Sequence, residues 1–481
     1  MTFKDNRLFI AALEKSGDVV RIKDEIDWEG EAGAMVRRAM ERKAQAIVFE
    51  KLKDYPPGYR IFGGPLATHR RLAIALGLKP ETSVPDIQHF YEQRIESPIK
   101  PMLVSKGPCQ ENIVTGDDVD LFNFPVPLIH WGDGGRYIGS WHAVIMQDPD
   151  SSWVNWGMYR QMVYRRNIVV GAWHIHNQGG MLLWSKYLSV GKPMPVAIAI
   201  GIEPVSALVA VAPFNAGQSE VDYAGALLGR PVELVKCQTS DLMVPANAEI
   251  VIEGEIDPNI RIPEAPFGEY TGYRTAMVPR GVGCRVKAVT FRNKPIITMD
   301  NPGQPSDSSG ICWSMTTAVA NKKLLRQQSI PVVDVNYPPE GSNMMAIVSL
   351  KRMYANLAMQ VHHVIQGGAE WAPKVIVTDD DVNIFDMDEV LHTLGTRCHP
   401  ERGVRVFEGE SGNALHPFLT PKERYWGKGA SVLFDCSWPY DWSRKTDIPP
   451  RVSFKEVYPE ELQKKVLKNW KKYGFEQESK A

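Results

Sequence analysis

The 481-residue sequence lacks a CxxC pair, an apolar run of membrane length, a charge excess of either sign, an internal repeat and any low-complexity segment. Each absence narrows the class. Six cysteines (Cys109, Cys237, Cys284, Cys312, Cys398 and Cys436) are scattered singly, which argues against a disulfide framework or a zinc knuckle and for buried reduced thiols. The 55 basic and 56 acidic residues leave a net charge of -1, so no general attraction draws the chain to nucleic acid or to an anionic membrane. Residues 1–10 carry Lys4, Asp5 and Arg7 without the apolar core of a signal peptide, and the expected location is cytoplasmic. A GxGxxG fingerprint following a strand is also missing, which removes the usual nicotinamide site.

What is present is an ordinary globular composition, 44% hydrophobic and 23% charged, in a chain long enough for about two to four domains. Residues 1–115 read as a small α/β unit with helices over 8–13 and 29–43 and strands over 17–22, 46–49 and 59–62. Residues 116–320 turn to alternating apolar and polar positions with frequent Gly, Pro and Trp, the pattern of a twisted sheet or barrel. Within them 248–256 is a strand aimed at Glu264, and 284–291 and 295–299 continue the β pattern. Alternation of strands (330–335, 344–350, 374–378) and helices (353–366, 388–394) returns over 321–450, with Gly395 as the stop of the last helix. Residues 451–481 hold a lysine-rich helix over 459–473 whose apolar face carries Leu462, Val466, Trp470 and Tyr473, with Gly474 as its stop. That helix is predicted to dock on a neighbouring domain or subunit rather than on a membrane.

Chemistry concentrates in three segments. In the first, Glu264 and Glu269 flank a turn set by Pro266 and Gly268; their carboxylates either converge, one protonated beside one charged, or are two solvated acids on a surface turn. The second, residues 154–160, places Asn155, Trp156, Gly157, Met158, Tyr159 and Arg160 in an apparent strand, with Asn155 and Gly157 on one face and Trp156, Met158 and Arg160 on the other. Arg160 is either a surface arginine or the partner that keeps a buried carboxylate ionised. In the third, residues 212–220, Glu220 enters a small-residue helix over 223–228, as a metal ligand or as a complement to the helix dipole. His174 and His176 form an i, i+2 pair open to a metal or a structural reading, and His362 and His363 read as packing residues.

Taken together, Asn155, Trp156 and Arg160, then Glu220, then Glu264, Pro266, Phe267, Gly268 and Glu269, resemble the UbiD-type decarboxylases, which use prenylated FMN. The resemblance extends over residues 46–50, 191–193, 231–235 and 379–386. It implies a mixed α/β fold: an N-terminal α/β unit, a central split-barrel flavin-binding domain and a C-terminal α/β oligomerisation domain with a terminal helix, assembled as a homodimer or homohexamer. It also implies a catalytic triad of Arg160, Glu264 and Glu269. The cofactor, made by a flavin prenyltransferase, would be held by residues 155–160, Gln178 and Glu220. A divalent metal, manganese, would bridge Asn155 and Glu220 to its phosphate. Potassium would sit on carbonyls around Trp156, Val209, Ala210 and Ala212 and on Glu220.

One position departs from the family. Its metal-binding histidine falls, counting back from residues 191–193, at Gln178 or Gly179, so either His176 takes over through a local loop shift or the third ligand is missing or water.

The implied reaction is the non-oxidative decarboxylation, reversible in principle, of an aromatic or α,β-unsaturated acid. Loss of carbon dioxide leaves electrons in an in-plane orbital that no side chain can accept, hence a flavin bonded covalently to the substrate. Glu269 would then supply the proton. A non-catalytic flavin-binding subunit of a carboxylase and a conventional FMN oxidoreductase are the alternatives. The stretch 299–307 is a candidate wall of the substrate pocket.

Overall fold

The computed structural model describes residues 2–171, 173–174, 177–304, 307–368 and 372–475. His176 therefore lies outside the described residues. The mixed α/β class is borne out, with four sheets among the described residues.

The N-terminal sheet runs Val19–Ile26, Ala46–Leu52, Arg60–Gly63 and Ile296–Met299. Its last strand, which the alternation places with the central β region, pairs in parallel with Arg60–Gly63. The chain thus returns to the first sheet after building the central one. Asn112–Thr115 crosses the other way and adds to the central strand Val278–Phe291.

The central layer is a curled nine-stranded sheet. Its spine is the antiparallel pair Ile250–Glu264 and Val278–Phe291. Ile250, Val251 and Ile252 are buried on both faces, so the spine starts deep in the core. A register break between Ile256 and Arg261, where Pro258 cannot donate to the ladder, bends the strand before it reaches Glu264. The strand is therefore longer than the 248–256 pattern predicts, and Glu264 ends it rather than sitting in a free turn.

The strand expected over 154–160 stops at Gly157. Residues 158–160 form the link to the next strand, Gln161–Arg165, so the two-face alternation does not extend to Arg160.

The C-terminal sheet runs Val332–Asn336, Met345–Leu350, Lys374–Asp379, Lys428–Asp435 and Val404–Ser411, its three middle strands parallel. Helix Met387–Arg397 passes through Gly395, which is therefore no stop. The tail helix Glu460–Asn469 buries no residue, and Gly474 closes the turn after it at φ 91°. Among the described residues none of its side chains is buried against its own chain's core. His362 is buried in the third domain with Nε2 3.0 Å from the Ser431 hydroxyl, a packing role. Among the described residues no helix is long and apolar enough to cross a membrane.

Candidate active site

Two local devices shape the turn after Glu264. Gly268 does not need an unusual φ; a Cβ there would sit 2.6 Å from the His130 ring, so the glycine is required by space. Gly272 is the residue in the left-handed region, at φ 81°, and it lets the chain fold back so that its N–H donates to the Glu269 carbonyl at 2.9 Å. Asp133 accepts from the Gly268 N–H at 3.0 Å and also holds His130, whose Nδ1 lies 2.9 Å away. The loop is thus pinned by a segment more than a hundred residues upstream.

Pinned in this way, the turn delivers both carboxylates to Arg160. The guanidinium donates through Nε and Nη2 to the two oxygens of Glu264, at 2.5 and 2.9 Å, a fork that fixes its plane. Nη1 donates to Glu269. Only 1% of Glu264 and 8% of Glu269 is exposed. Burial works against the charge on Arg160, but the two carboxylates outweigh it and hold the guanidinium protonated. For Glu269 burial wins, and its pKa is raised despite the pair with Arg160, with the Glu264 charge adding to the rise. The site therefore holds one arginine and two inequivalent carboxyl groups. Tyr137, whose hydroxyl donates to the Ala265 carbonyl at 2.9 Å, backs the Glu264 side.

Arg160 and Glu269 line a cleft of about 210 Å3 together with Met158, Phe267, His142 and Trp313. Asn413 and Leu415 of the C-terminal third reach the same cleft. Of the 299–307 stretch only Pro302 lines it; Pro305 and Ser306 lie outside the described residues. Asp300 and Asp307 are fully buried instead and cap helix Ser308–Gln327, accepting from Ser308, Ser309 and Gly310 N–H groups.

The third constellation lies behind Tyr159. Helices Pro204–Val211 and Glu220–Leu228 pack against strand Val154–Gly157. Glu220 is 2% exposed and accepts from the Trp156 N–H at 2.7 Å and the Asn155 amide at 2.9 Å. Burial pushes its pKa up to about 8, and no lysine or arginine bridges it among the described residues. Gln178 joins the cluster: its Oε1 accepts from Asn155 at 3.0 Å and its Nε2 donates to the Phe214 carbonyl. The position counted back to is therefore adjacent to Asn155 and Glu220, and it carries an amide. Val209 and Ala210, in the last turn of Pro204–Val211, pack in the same core as Trp156, and Ala212 caps that helix.

Three family models cover most of the chain: the N-terminal domain of 3-octaprenyl-4-hydroxybenzoate carboxy-lyase over residues 10–90, its Rift-related domain over 102–305 and its C-terminal domain over 310–436. The chain belongs to the UbiD family of carboxy-lyases. A curated relative of this UbiD chain is the pyrrole-2-carboxylic acid decarboxylase of Pseudomonas aeruginosa, 33% identical over 489 residues covering 98% of each protein. Among solved structures, the closed form of Sedimentibacter hydroxybenzoicus vanillic acid decarboxylase superposes with a TM-score of 0.88 at 29% identity, over 98% of this chain and 100% of that one. An evolved dimeric form of the UbiD-class enzyme HmfF from Pelotomaculum thermopropionicum, in complex with prFMN, gives 0.79 at 29% identity over 93% and 97%.

Proposed function

We propose that this UbiD chain decarboxylates an aromatic or α,β-unsaturated carboxylic acid without net oxidation, using prenylated FMN, with Arg160, Glu264 and Glu269 as its acid–base apparatus. The observation that carries this is the buried Arg160 clamp on two inequivalent carboxyl groups at the wall of a cleft. The relatives named above, two called decarboxylases and one a complex with prFMN, support the same reading.

The residues fit such a cofactor. Glu220 is a buried carboxyl without a cationic side chain beside it among the described residues, and the amides of Asn155 and Gln178 add oxygen donors, a set suited to a hard divalent ion such as manganese that would hold the flavin phosphate. Carbonyls of Trp156, Val209, Ala210 and Ala212 with Glu220 would hold potassium, at a helix C-terminus where the Val209 carbonyl accepts from the Ala212 N–H at 3.2 Å and the dipole favours a cation. When bound, prenylated FMN supplies the electron sink that side chains lack.

The protein's own part is proton management. Arg160 pairs with both oxygens of Glu264, and burial beside that carboxylate favours the protonated form of Glu269. The bond from the substrate carbon to its carboxylate breaks, carbon dioxide leaves, and Glu269 delivers the proton that the carbon retains. Solvent then reprotonates Glu269, so carboxylate plus proton gives product plus carbon dioxide. In the carboxylation direction Glu269 takes the proton. Met158, Phe267 and Trp313 give the cleft apolar walls, and burial there favours the neutral form of the acid.

The assembly we propose is a homodimer or homohexamer, favoured by the tail helix, which exposes Leu462, Leu467 and Tyr473. Its cofactor source is a flavin prenyltransferase. Release of carbon dioxide by protein loaded with prenylated FMN tests the activity. Rapid flavin reduction by NAD(P)H would instead favour the oxidoreductase alternative, and cofactor uptake without turnover the subunit alternative.

The amide at position 178 carries its own expectation. With oxygen donors only, the site gains little from metals that prefer nitrogen ligands. Gln178→His should raise affinity for cobalt or nickel about tenfold or more while leaving magnesium nearly unchanged, measured by calorimetry on the flavin-bound protein. An equal change for all metals would place Gln178 outside the ligand set.

A further inference from the structure

The C-terminal domain contains a larger cavity that the decarboxylation chemistry does not use. It has a volume of about 540 Å3 and opens at the carboxyl ends of the three parallel strands, with Leu350, Asp379 and Asp435 among its walls. After Met345–Leu350 the chain enters helix Leu357–Gly367, which packs Val361 and Ile365 on one face of the sheet. After Lys374–Asp379 it enters helix Met387–Arg397, which packs Val390 on the other. The crevice between strands whose connections leave on opposite faces is where open α/β sheets place their ligands.

The walls are specific in their chemistry. Trp438 and Trp442 stack at 5.7 Å with 24° between their planes. Arg352 fixes the loop that carries them, donating to the Pro439 and Trp442 carbonyls at 2.7 and 3.1 Å. Arg397 lies 5.0 Å from the Trp438 ring and is committed to both oxygens of Asp381, at 2.9 and 2.6 Å.

Asp379, a helix start and Arg402 have capacity left for a ligand. Asp379, only 3% exposed, uses Oδ2 to accept from the Trp438 N–H at 2.9 Å, while its buried Oδ1 has no partner. Helix Leu357–Gly367 starts in the same cavity at Leu357 and Ala358, and the Asn356 side chain does not cap its first N–H groups. Arg402 stands at the exposed rim without a side-chain hydrogen bond among the described residues.

A free carboxylate oxygen asks for a cationic donor, and helix N–H groups with an arginine ask for one anionic group. The tryptophan stack asks for a flat ring between or beside them. A phosphate dianion would meet a single uncommitted arginine, whereas a zwitterion satisfies both charges.

We infer that this cavity is a second ligand site, separate from the decarboxylation cleft, and that it takes a free aromatic amino acid. The ammonium meets Asp379, the carboxylate meets the helix N-terminus and Arg402, and the ring lies against Trp438 and Trp442. The inference stands apart from the proposed decarboxylation and holds whether or not that reading does.

Calorimetric titration of the full-length flavin-bound protein with L-phenylalanine, L-tyrosine and L-tryptophan tests it, with AMP and benzoate as contrasting probes. At least one of the amino acids should bind saturably. Asp379→Asn, which keeps the shape and the acceptor for Trp438, and Arg402→Gln at the rim should each weaken it tenfold or more, while Glu269→Gln leaves it unchanged. The inference is overturned by absence of saturable binding of all three, by tighter binding of AMP or benzoate, by binding indifferent to both cavity variants, or by binding lost in Glu269→Gln.

Discussion

Glu269→Gln should abolish turnover and keep the flavin. The amide retains the size of the carboxyl group and still offers an oxygen to Arg160, so the clamp on Glu264 survives, but it cannot release a proton to carbon. Loss of a positioned general acid typically costs about 10²–10⁴-fold in rate. The wild type adds a check on sign. Because burial raises the Glu269 pKa, the proton donor is present below that raised value, and decarboxylation should fall as pH rises through it. Rates measured from pH 6 upward on prenylated-FMN-loaded protein read both effects. A Glu269→Gln variant with normal turnover would remove Glu269 from the mechanism.

The second large effect is on cofactor retention. Glu220→Ala and Asn155→Ala should each emerge from purification with little or no flavin. In the proposed site Glu220 would supply the carboxylate of the oxygen set, and burying a flavin phosphate without its counter-ion would cost several kcal/mol, or about 10²-fold in affinity or more. Flavin absorbance per protein, before and after dialysis against a chelator, measures it. Full occupancy in both variants would mean that the phosphate lies elsewhere. The Trp156 N–H, which Glu220 now satisfies, would be freed in Glu220→Ala, so a thermal unfolding curve should accompany each titre.

The parts of the site that were legible in the sequence are those whose cause is local. Glu264 and Glu269 lie five residues apart around Pro266, and a turn there is written in φ restriction alone. Their meeting with Arg160 is not local: it depends on the bend at Ile256–Arg261 and on Asp133 holding Gly268, across 135 residues of chain. Periodicity reports neither. Tyr137, His130 and Asp133 were missed for the same reason, since a buried tyrosine or a histidine beside an aspartate carries no spacing signal of its own.

The strand that ends at Gly157 shows the limit of alternation. The two-residue period gives a face for each side chain only while the ladder lasts, and Met158 to Arg160 lie beyond it. Likewise Ile296–Met299 has the composition of any buried strand; nothing in four apolar residues says that they pair with Arg60–Gly63. Gly395 misled because a glycine in a helix costs only about 1 kcal/mol, which the packing of Val390 and Thr393 offsets. Gln178 is the opposite case. Counting along the family pattern put Gln178 or Gly179 at the position of the metal-binding histidine, and the geometry sets the Gln178 amide beside Asn155.

Carbon dioxide release is the measurement that tests the central claim most directly. Protein produced with a flavin prenyltransferase, and the same protein reconstituted with unmodified FMN, would be given a panel of aromatic and α,β-unsaturated acids under anaerobic conditions, with deuterium oxide as solvent. The account predicts carbon dioxide from at least one acid with the prenylated cofactor only, and one deuterium at the carbon that lost the carboxyl group. Release of carbon dioxide with unmodified FMN, or product without deuterium, would contradict it.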